Sequence, residues 1–255
     1  MKRFLHKIRF LLFASDNSIG RGLLHIFWKP SPLEPEYYIH QCLKSRKEVY
    51  FIQVGANDGL INDPLIYFII LNKNWKGVLL EPLPDVFHHA LKPLHRRRSR
   101  LLLFNAAIAN QPGESVIYRI SFSNKRWATG LTSFKKETLI SKINDGYVER
   151  CAHKYNDTLP DDRNTWIAEQ TIRCVTFQQI IKESGFPQID LIQIDAEGYD
   201  YQIIRMIPFH RIKPHVISFE HEHLSLQDKE TCFQLLKEQG YQITVLQRDA
   251  IAHLS

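Results

Sequence analysis

Cysteine is scarce in this chain, and its four copies, Cys42, Cys151, Cys174 and Cys232, lie far apart. They form no CxxC pair and no metal-ligand spacing, which leaves free thiols in a reducing compartment as the expectation. Long apolar runs are missing too. In the opening segment MKRFLHKIRFLLFAS the longest uninterrupted run is Phe10 to Ala14, far too short to span a bilayer. Its short apolar core, with no A-x-A site after it, also argues against a secretory signal. No internal repeat and no low-complexity segment is present, so a solenoid or a disordered tract is not expected.

What is present is ordinary for a globular protein. The 255 residues are 44% hydrophobic and 24% charged, enough for one large α/β domain with a sizeable core. A net charge of +6 and a pI near 9.1 favour anionic partners in general without naming one. Lys2, Arg3, Lys7 and Arg9 alternate with Phe4, Leu5, Ile8 and Leu12. Residues 1–14 can therefore form a helix lying on an anionic membrane surface, or a packing or dimerisation arm. The expected location is the cytoplasm, at a membrane surface if the arm binds lipid.

Residues 15–48 read as helical and irregular, broken by the proline-rich KPSPLEPE. They complete an N-terminal extension over residues 1–48, ahead of a main domain over 49–255. There, apolar strand-like runs at 49–54, 77–81, 100–108, 189–195, 215–220 and 241–246 alternate with helical stretches near 64–73, 84–93, 176–184, 200–207 and 227–239. Runs apolar on both faces and separated by helices indicate a mostly parallel sheet covered on two sides. The alternating segment 114–122 suits a hairpin or an edge strand. Residues 121–172 break the pattern, with aromatics, charges and no obvious strand. Short helices forming a lid are expected there, or a simple packing insertion.

In an open parallel sheet, ligands bind beyond the carboxyl ends of the strands. The first strand ends there in VGANDG, where Gly55 and Gly59 permit a sharp turn and close approach. The loop lacks the lysine and Ser/Thr of a P-loop and the G-x-G-x-x-G of a dinucleotide site. Asp58 and Asp63 would repel a pyrophosphate but accept hydrogen bonds from an ammonium group. A cationic or zwitterionic ligand is the better fit. The second strand ends in Glu81 and Pro82, placing an acid where it can take both hydroxyls of a ribose, or cap the helix that follows. After the third, Asn105, Ala106 and Ala107 leave room for a flat ring. The fourth ends in Asp195 and Glu197, and the fifth in Glu220, His221, Glu222 and His223. Five strand ends thus carry polar groups on one rim.

The segments FIQVGANDG, WKGVLLEP, NAAI, GLTSF, DLIQIDAEGYD and ISFEH, in that order, resemble the FkbM family of S-adenosylmethionine-dependent methyltransferases over about residues 49–246. The resemblance implies a class I methyltransferase (Rossmann-like) fold, a seven-stranded sheet with one antiparallel strand and helices on both faces. It places Gly55, Asn57 and Gly59 at the methionine part of the cofactor and Glu81 at the ribose, with Asp58 a further expected cofactor-binding residue. Asn105 and Ala106 would border the adenine, and Pro82 and Asp195 are also expected to bind the cofactor. Gln53 stands where many members have an acid. Thr132 and Ser133, in GLTSF, would face cofactor or acceptor.

The implied reaction is O-methylation of a sugar, glycan or secondary-metabolite hydroxyl. Such an acceptor needs a general base, or a metal that lowers its pKa. Asp195, then His221, are the expected catalytic groups. They could share a divalent cation, for which Mn²⁺ or Zn²⁺ suits the ligands better than Mg²⁺. Ser133, Glu197 and Glu220 are the substrate-side candidates, with Glu220 also able to orient His221. The rival reading is a cofactor-binding interaction module without catalysis. A nucleic-acid substrate is not expected: the basic stretch 92–100 fits a solvated helix end, and no N/D-P-P-Y-type motif for flipped-base amino methylation is present.

Overall fold

The structure, a computed structural model, describes residues 11, 13, 14 and 28–254. The amphipathic arm expected over residues 1–14 lies outside the described residues except at Leu11, Phe13 and Ala14. Phe13 is buried among Leu60, Ile66, Ile70 and Leu94, and its carbonyl accepts a hydrogen bond from the Arg98 guanidinium.

Helix α1 (Pro35–Leu43) precedes strand β1 (Val49–Val54), followed by α2 (Ile66–Leu71) and β2 (Trp75–Leu80). Helix α3 has three runs, Pro84–Val86, Phe87–Leu91 and Lys92–His95, the middle one a π turn. Pro93 lacks the N–H that a regular ladder needs next, which fits a widened turn at this point. Strands β3 (Leu101–Phe104), β4 (Ala107–Ile108) and β5 (Gly113–Ile120) lead into helices α4 (Arg126–Thr129), α5 (Lys136–Asn144) and α6 (Tyr147–Tyr155). Then come β6 (Ile167–Val175), α7 (Phe177–Ser184), β7 (Leu191–Ile194), α8 (Asp200–Met206), β8 (Val216–Glu220), α9 (Leu226–Glu238), β9 (Gln242–Val245) and β10 (Asp249–His253).

Seven strands form the main sheet in the order β3-β2-β1-β7-β8-β10-β9. Its pairings are parallel except those of β10, which runs antiparallel to both β8 and β9. Side-chain alternation divides the core. Val49 and Phe51 face Ile39, Phe68, Leu91 and Ile251 on one side of the sheet. Ile52 and Val54 face Phe177, Ile203 and Leu236 on the other. Every residue of β1 is buried, which is why that strand is apolar on both faces up to Gln53. The glycine in the middle of β2 has a packing reason: a Cβ at Gly77 would lie 2.2 Å from the Phe51 ring. Truncating Phe51, which is fully buried, would cost about 3–5 kcal/mol.

A second, three-stranded sheet has the order β4-β6-β5, and here two expectations are corrected. The run 100–108 is not one strand. It breaks at Asn105, whose Nδ2 donates to the Glu81 and Pro82 carbonyls at 2.8 and 3.0 Å, so β3 stays in the main sheet and β4 joins the small one. Residues 167–172 are not helical: they belong to β6, paired antiparallel with β5 along its whole length. Glu169 and Gln170 make that strand look like a loop, because much of one face meets solvent. Strand β10 also went unread; its Asp-Ala-Ile-Ala-His composition carries little β-propensity. Between β5 and β6, helices α4 to α6 build a core of their own around Trp127, Leu139, Val148 and Trp166.

Candidate functional site

At the end of β1 the chain turns through two left-handed residues that bracket the loop, Gly55 (φ +79) and Gly59 (φ +66), with Asn57 (φ +45) between them. The N–H groups of Gly55 and Ala56 both donate to the Leu80 carbonyl, at 3.0 and 2.9 Å. A Cβ on Gly55 would stand 1.9 Å from the Asp195 carbonyl oxygen. That glycine therefore lets the β1 and β7 ends close on each other. A Cβ on Gly59 would meet Leu91, Leu94 and His95 of α3, so its smallness serves packing.

Glu81 is buried at the tip of β2. Its Oε2 accepts from the Asn57 N–H and its Oε1 from the Leu83 N–H, both at 2.8 Å. Burial, the larger effect, pushes its pKa up to about 7 against those two bonds, with Arg126 favouring the ion and Asp195 opposing it. One acid thus ties the glycine loop to the following turn and still offers lone pairs to the cleft.

The other acids of the loop are used internally, contrary to the role expected for them. Asp58 Oδ1 accepts from the N–H groups of Leu60 and Ile61, each at 2.9 Å. Asp63 accepts from Leu65 and Ile66 through Oδ1 and from the Gln53 amide through Oδ2. These are turn caps, and Asp63 is buried away from the cleft described below. The same contact explains Gln53: an acid there would set a second carboxyl against Asp63.

A cleft opens across the ends of β1, β2 and β7. Gly55 and Asn57 line it from the β1 end, Glu81 and Pro82 from the β2 end, and Ala106 from the β3 end. Asp195 and Glu197 line it from the β7 end, on the other side of β1 from β2, and Arg126, Thr129, Thr132 and Ser133 from the segment around α4. Asp58, Gly59, Asn105, Glu220 and His221 do not line it. Asp58, Gly59 and Asn105 act on its shape, through the turn cap, the packing against α3 and the hold on two carbonyls.

The acids of the β7 and β8 ends are held differently. Burial raises the Asp195 pKa, and the fields of Arg126 and Arg248 oppose it. Glu197 has a left-handed backbone (φ +48), unusual for a residue with a Cβ, and its carbonyl accepts from Ser133 Oγ at 2.9 Å. Its carboxyl is held well above the usual range by burial first and then by Asp195, Glu220 and Asp200. Glu220 is pushed up to about 8 by burial and by Asp195 and Asp200, although its Oε1 meets Arg248 Nη2 at 2.6 Å. Asp200 braces the turn, accepting from the N–H groups of Ala196 and Gly198 at 3.4 and 3.2 Å.

His221 corrects a second expectation. Its Nε2 donates to the Leu246 carbonyl at 3.1 Å, its backbone N–H bonds the Arg248 carbonyl, and its ring stands edge-on to Phe233. It closes the β8, β9 and β10 ends together. Asp195 lines the cleft and His221 does not. The imidazole among the acids is His223, whose Nε2 lies 3.3 Å from Glu197 Oε2 and 3.8 Å from Glu220 Oε2. Successive side chains leave a strand end on opposite sides, so Glu220 does not orient His221. The turn after β8 returns His223 to it.

Arg126 was missed. It projects from a four-residue helix, lies 3.9 Å from Asp58 and acts electrostatically on Glu81, Asp195 and Glu197. A signal existed in Gly130: a Cβ there would fall 2.2 Å from Arg126 Nη1, so the glycine just before LTSF reserves space for the guanidinium.

An open sheet of this order, with a glycine turn after β1, an acid at the tip of β2 and a reversed strand beside β8, is the architecture of class I methyltransferases. The profile of the methyltransferase FkbM domain matches residues 53–243, and the chain belongs to that family. Among curated proteins no relative matches. Among solved structures, precorrin-6y C5,15-methyltransferase from Geobacter metallireducens GS-15 is similar at 12% identity and a TM-score of 0.42, covering 91% of this chain and 94% of that one. A "putative O-methyltransferase" from Klebsiella pneumoniae is similar at 10% identity and a TM-score of 0.41, over 96% and 99%. Among the described residues no helix is long and apolar enough to cross a membrane.

Proposed function

We propose that this methyltransferase uses S-adenosylmethionine to methylate a hydroxyl group, on a sugar, a glycan or a secondary metabolite. The observation carrying this reading is the cleft itself, lined by Glu81 and Asp195 from the strands that flank β1 and its Gly55 turn. The residues suit the cofactor. Glu81 keeps lone pairs for two ribose hydroxyls, Pro82 and Ala106 offer a flat apolar wall for a ring, and Thr132 Oγ1 is buried without a partner. When bound, the cofactor supplies an electrophilic methyl group on a sulfonium.

The protein's part is alignment and proton removal. Asp195 borders the cleft, where burial makes its carboxylate a stronger base than an exposed one. Ser133 and Glu197 shape the acceptor side, with the serine hydroxyl fixing the strained Glu197 backbone. The acceptor hydroxyl would give its proton to Asp195 as the oxygen attacks.

Two measurements test the reading. Calorimetric titration with S-adenosylmethionine and with its demethylated product should give saturable binding. Label from the cofactor's methyl group should then appear as an ether in a screen of glycans and hydroxylated metabolites. Binding without transfer to any oxygen acceptor would favour an interaction module, and transfer to nitrogen or carbon would refute the hydroxyl assignment.

A further inference from the structure

Beside the cleft, Glu197, Glu220 and His223 form a cluster whose carboxylates and imidazole take no part in the proton transfer described above. One ligand-capable atom from each lies within 4.8 Å of the other two. The Glu220 side chain is only 8% exposed, and its Oε2 has no hydrogen-bond partner; nor has the buried Glu197 Oε2. Both orphan oxygens face His223 Nε2, at 3.3 and 3.8 Å, without completing a hydrogen bond to it. Polar atoms this buried are normally paired, so two unpartnered oxygens turned toward one nitrogen have the disposition of ligands to a shared ion.

The spacing identifies the group. Ligands at about 2.0–2.2 Å from a shared ion stand roughly 3.0–3.5 Å apart at tetrahedral or octahedral angles. The separations around His223 match that span to within a few tenths of an ångström. Arg248 holds the other oxygen of Glu220 at 2.6 Å, the outer hydrogen bond that a ligating carboxylate usually has. Two carboxylates with one imidazole favour Zn²⁺ or Mn²⁺, whereas Mg²⁺ prefers oxygen ligands with several waters.

We propose that Glu197, Glu220 and His223 form a site for one divalent transition-metal ion, Zn²⁺ or Mn²⁺, at the rim of the cleft. Three protein ligands leave at least one coordination position open. Glu197 lines the cleft, so that position is available to water or an acceptor oxygen. The site does not depend on which acceptor is methylated.

The test uses the full chain, stripped with a chelator and titrated with ZnCl₂ and, separately, MnCl₂ by calorimetry, with no cofactor or acceptor present. Saturable binding of one equivalent and a rise in melting temperature on adding metal are expected. His223→Ala and Glu220→Gln should each weaken binding about tenfold to a hundredfold, the range for disturbed metal sites. Circular dichroism checks their folding, and Glu197→Gln, which keeps the side chain's volume, serves if either variant misfolds. No saturable binding by wild type up to about millimolar metal overturns the site, that being a thousandfold above micromolar affinity. Binding unaffected by the substitutions, or tighter binding of Mg²⁺ than of Mn²⁺, overturns it too.

Discussion

At the β1 end, Asp58 and Asp63 give oxygens to backbone N–H groups of their own turns. At the β7 and β8 ends, Glu197 and Glu220 each bury an oxygen that no donor reaches. Both regions are acidic rims of one sheet, yet they store free energy in opposite ways. The first is a saturated scaffold that keeps the Gly55 turn in shape. In the second, carboxylates are crowded and desolvated, a condition found where charge is to be used. Acidity at a strand end therefore says little by itself; what matters is whether the backbone has already claimed the oxygens.

Substitutions at the two ends should separate function from stability, and the largest effect is expected at Asp195. Asp195→Asn should lower kcat about 10²–10⁴-fold, the usual loss for a general base, with cofactor affinity and melting temperature near wild type. Equal turnover of variant and wild type on an authentic acceptor would break the comparison. Next comes Gly55→Ala, which forces a Cβ onto the Asp195 carbonyl and a side chain into a left-handed backbone. Denaturant titration should show a loss of about 3 kcal/mol or more.

Glu81→Gln sharpens the comparison, because Glu81 belongs to both categories. The variant should bind S-adenosylmethionine about 10–100-fold more weakly, as loss of charge-assisted bonds worth roughly 1.5–3 kcal/mol implies. The pH dependence has a definite sign. Ribose hydroxyls donate, so they need the ionised acid, and wild-type affinity should fall as pH drops below about 7. Apo stability should move the other way. Between the model-peptide value of 4.5 and about 7, native Glu81 keeps a proton the unfolded chain has released, so its contribution to stability is lost as pH rises through that window. Arg126 favours the ionised form and Asp195 the protonated one, and both trends should flatten in the variant.

Asp63→Ala removes a capping acceptor and should cost about 1–2 kcal/mol of stability while leaving kcat intact. The smallest effect belongs to His221→Ala. Losing one hydrogen bond to the Leu246 carbonyl should cost about 1 kcal/mol and change kcat by less than an order of magnitude. A hundredfold fall in kcat would return His221 to the chemistry.

Much of this protein was legible before any coordinates. The both-faces-apolar runs of β1, β2, β7 and β8 announced a parallel sheet, because buried strands need apolar residues on each side. Gly55 and Gly59, Glu81 and Asp195 stood at strand ends, and chain order alone puts consecutive strand ends on one rim. Tertiary structure decided the rest. Whether Asp63 faces a ligand or its own turn depends on backbone N–H groups whose positions no spacing reveals. His221 and His223 are two residues apart, yet the turn after β8 directs one toward the Leu246 carbonyl and the other toward Glu197 and Glu220. Arg126 reaches the cleft through an insertion packed on its own core, and β6 and β10 are strands through their partners rather than their composition. Local pattern determines which faces are buried; the partner of a polar side chain is settled by groups distant in sequence, and here those partners separate scaffold from site.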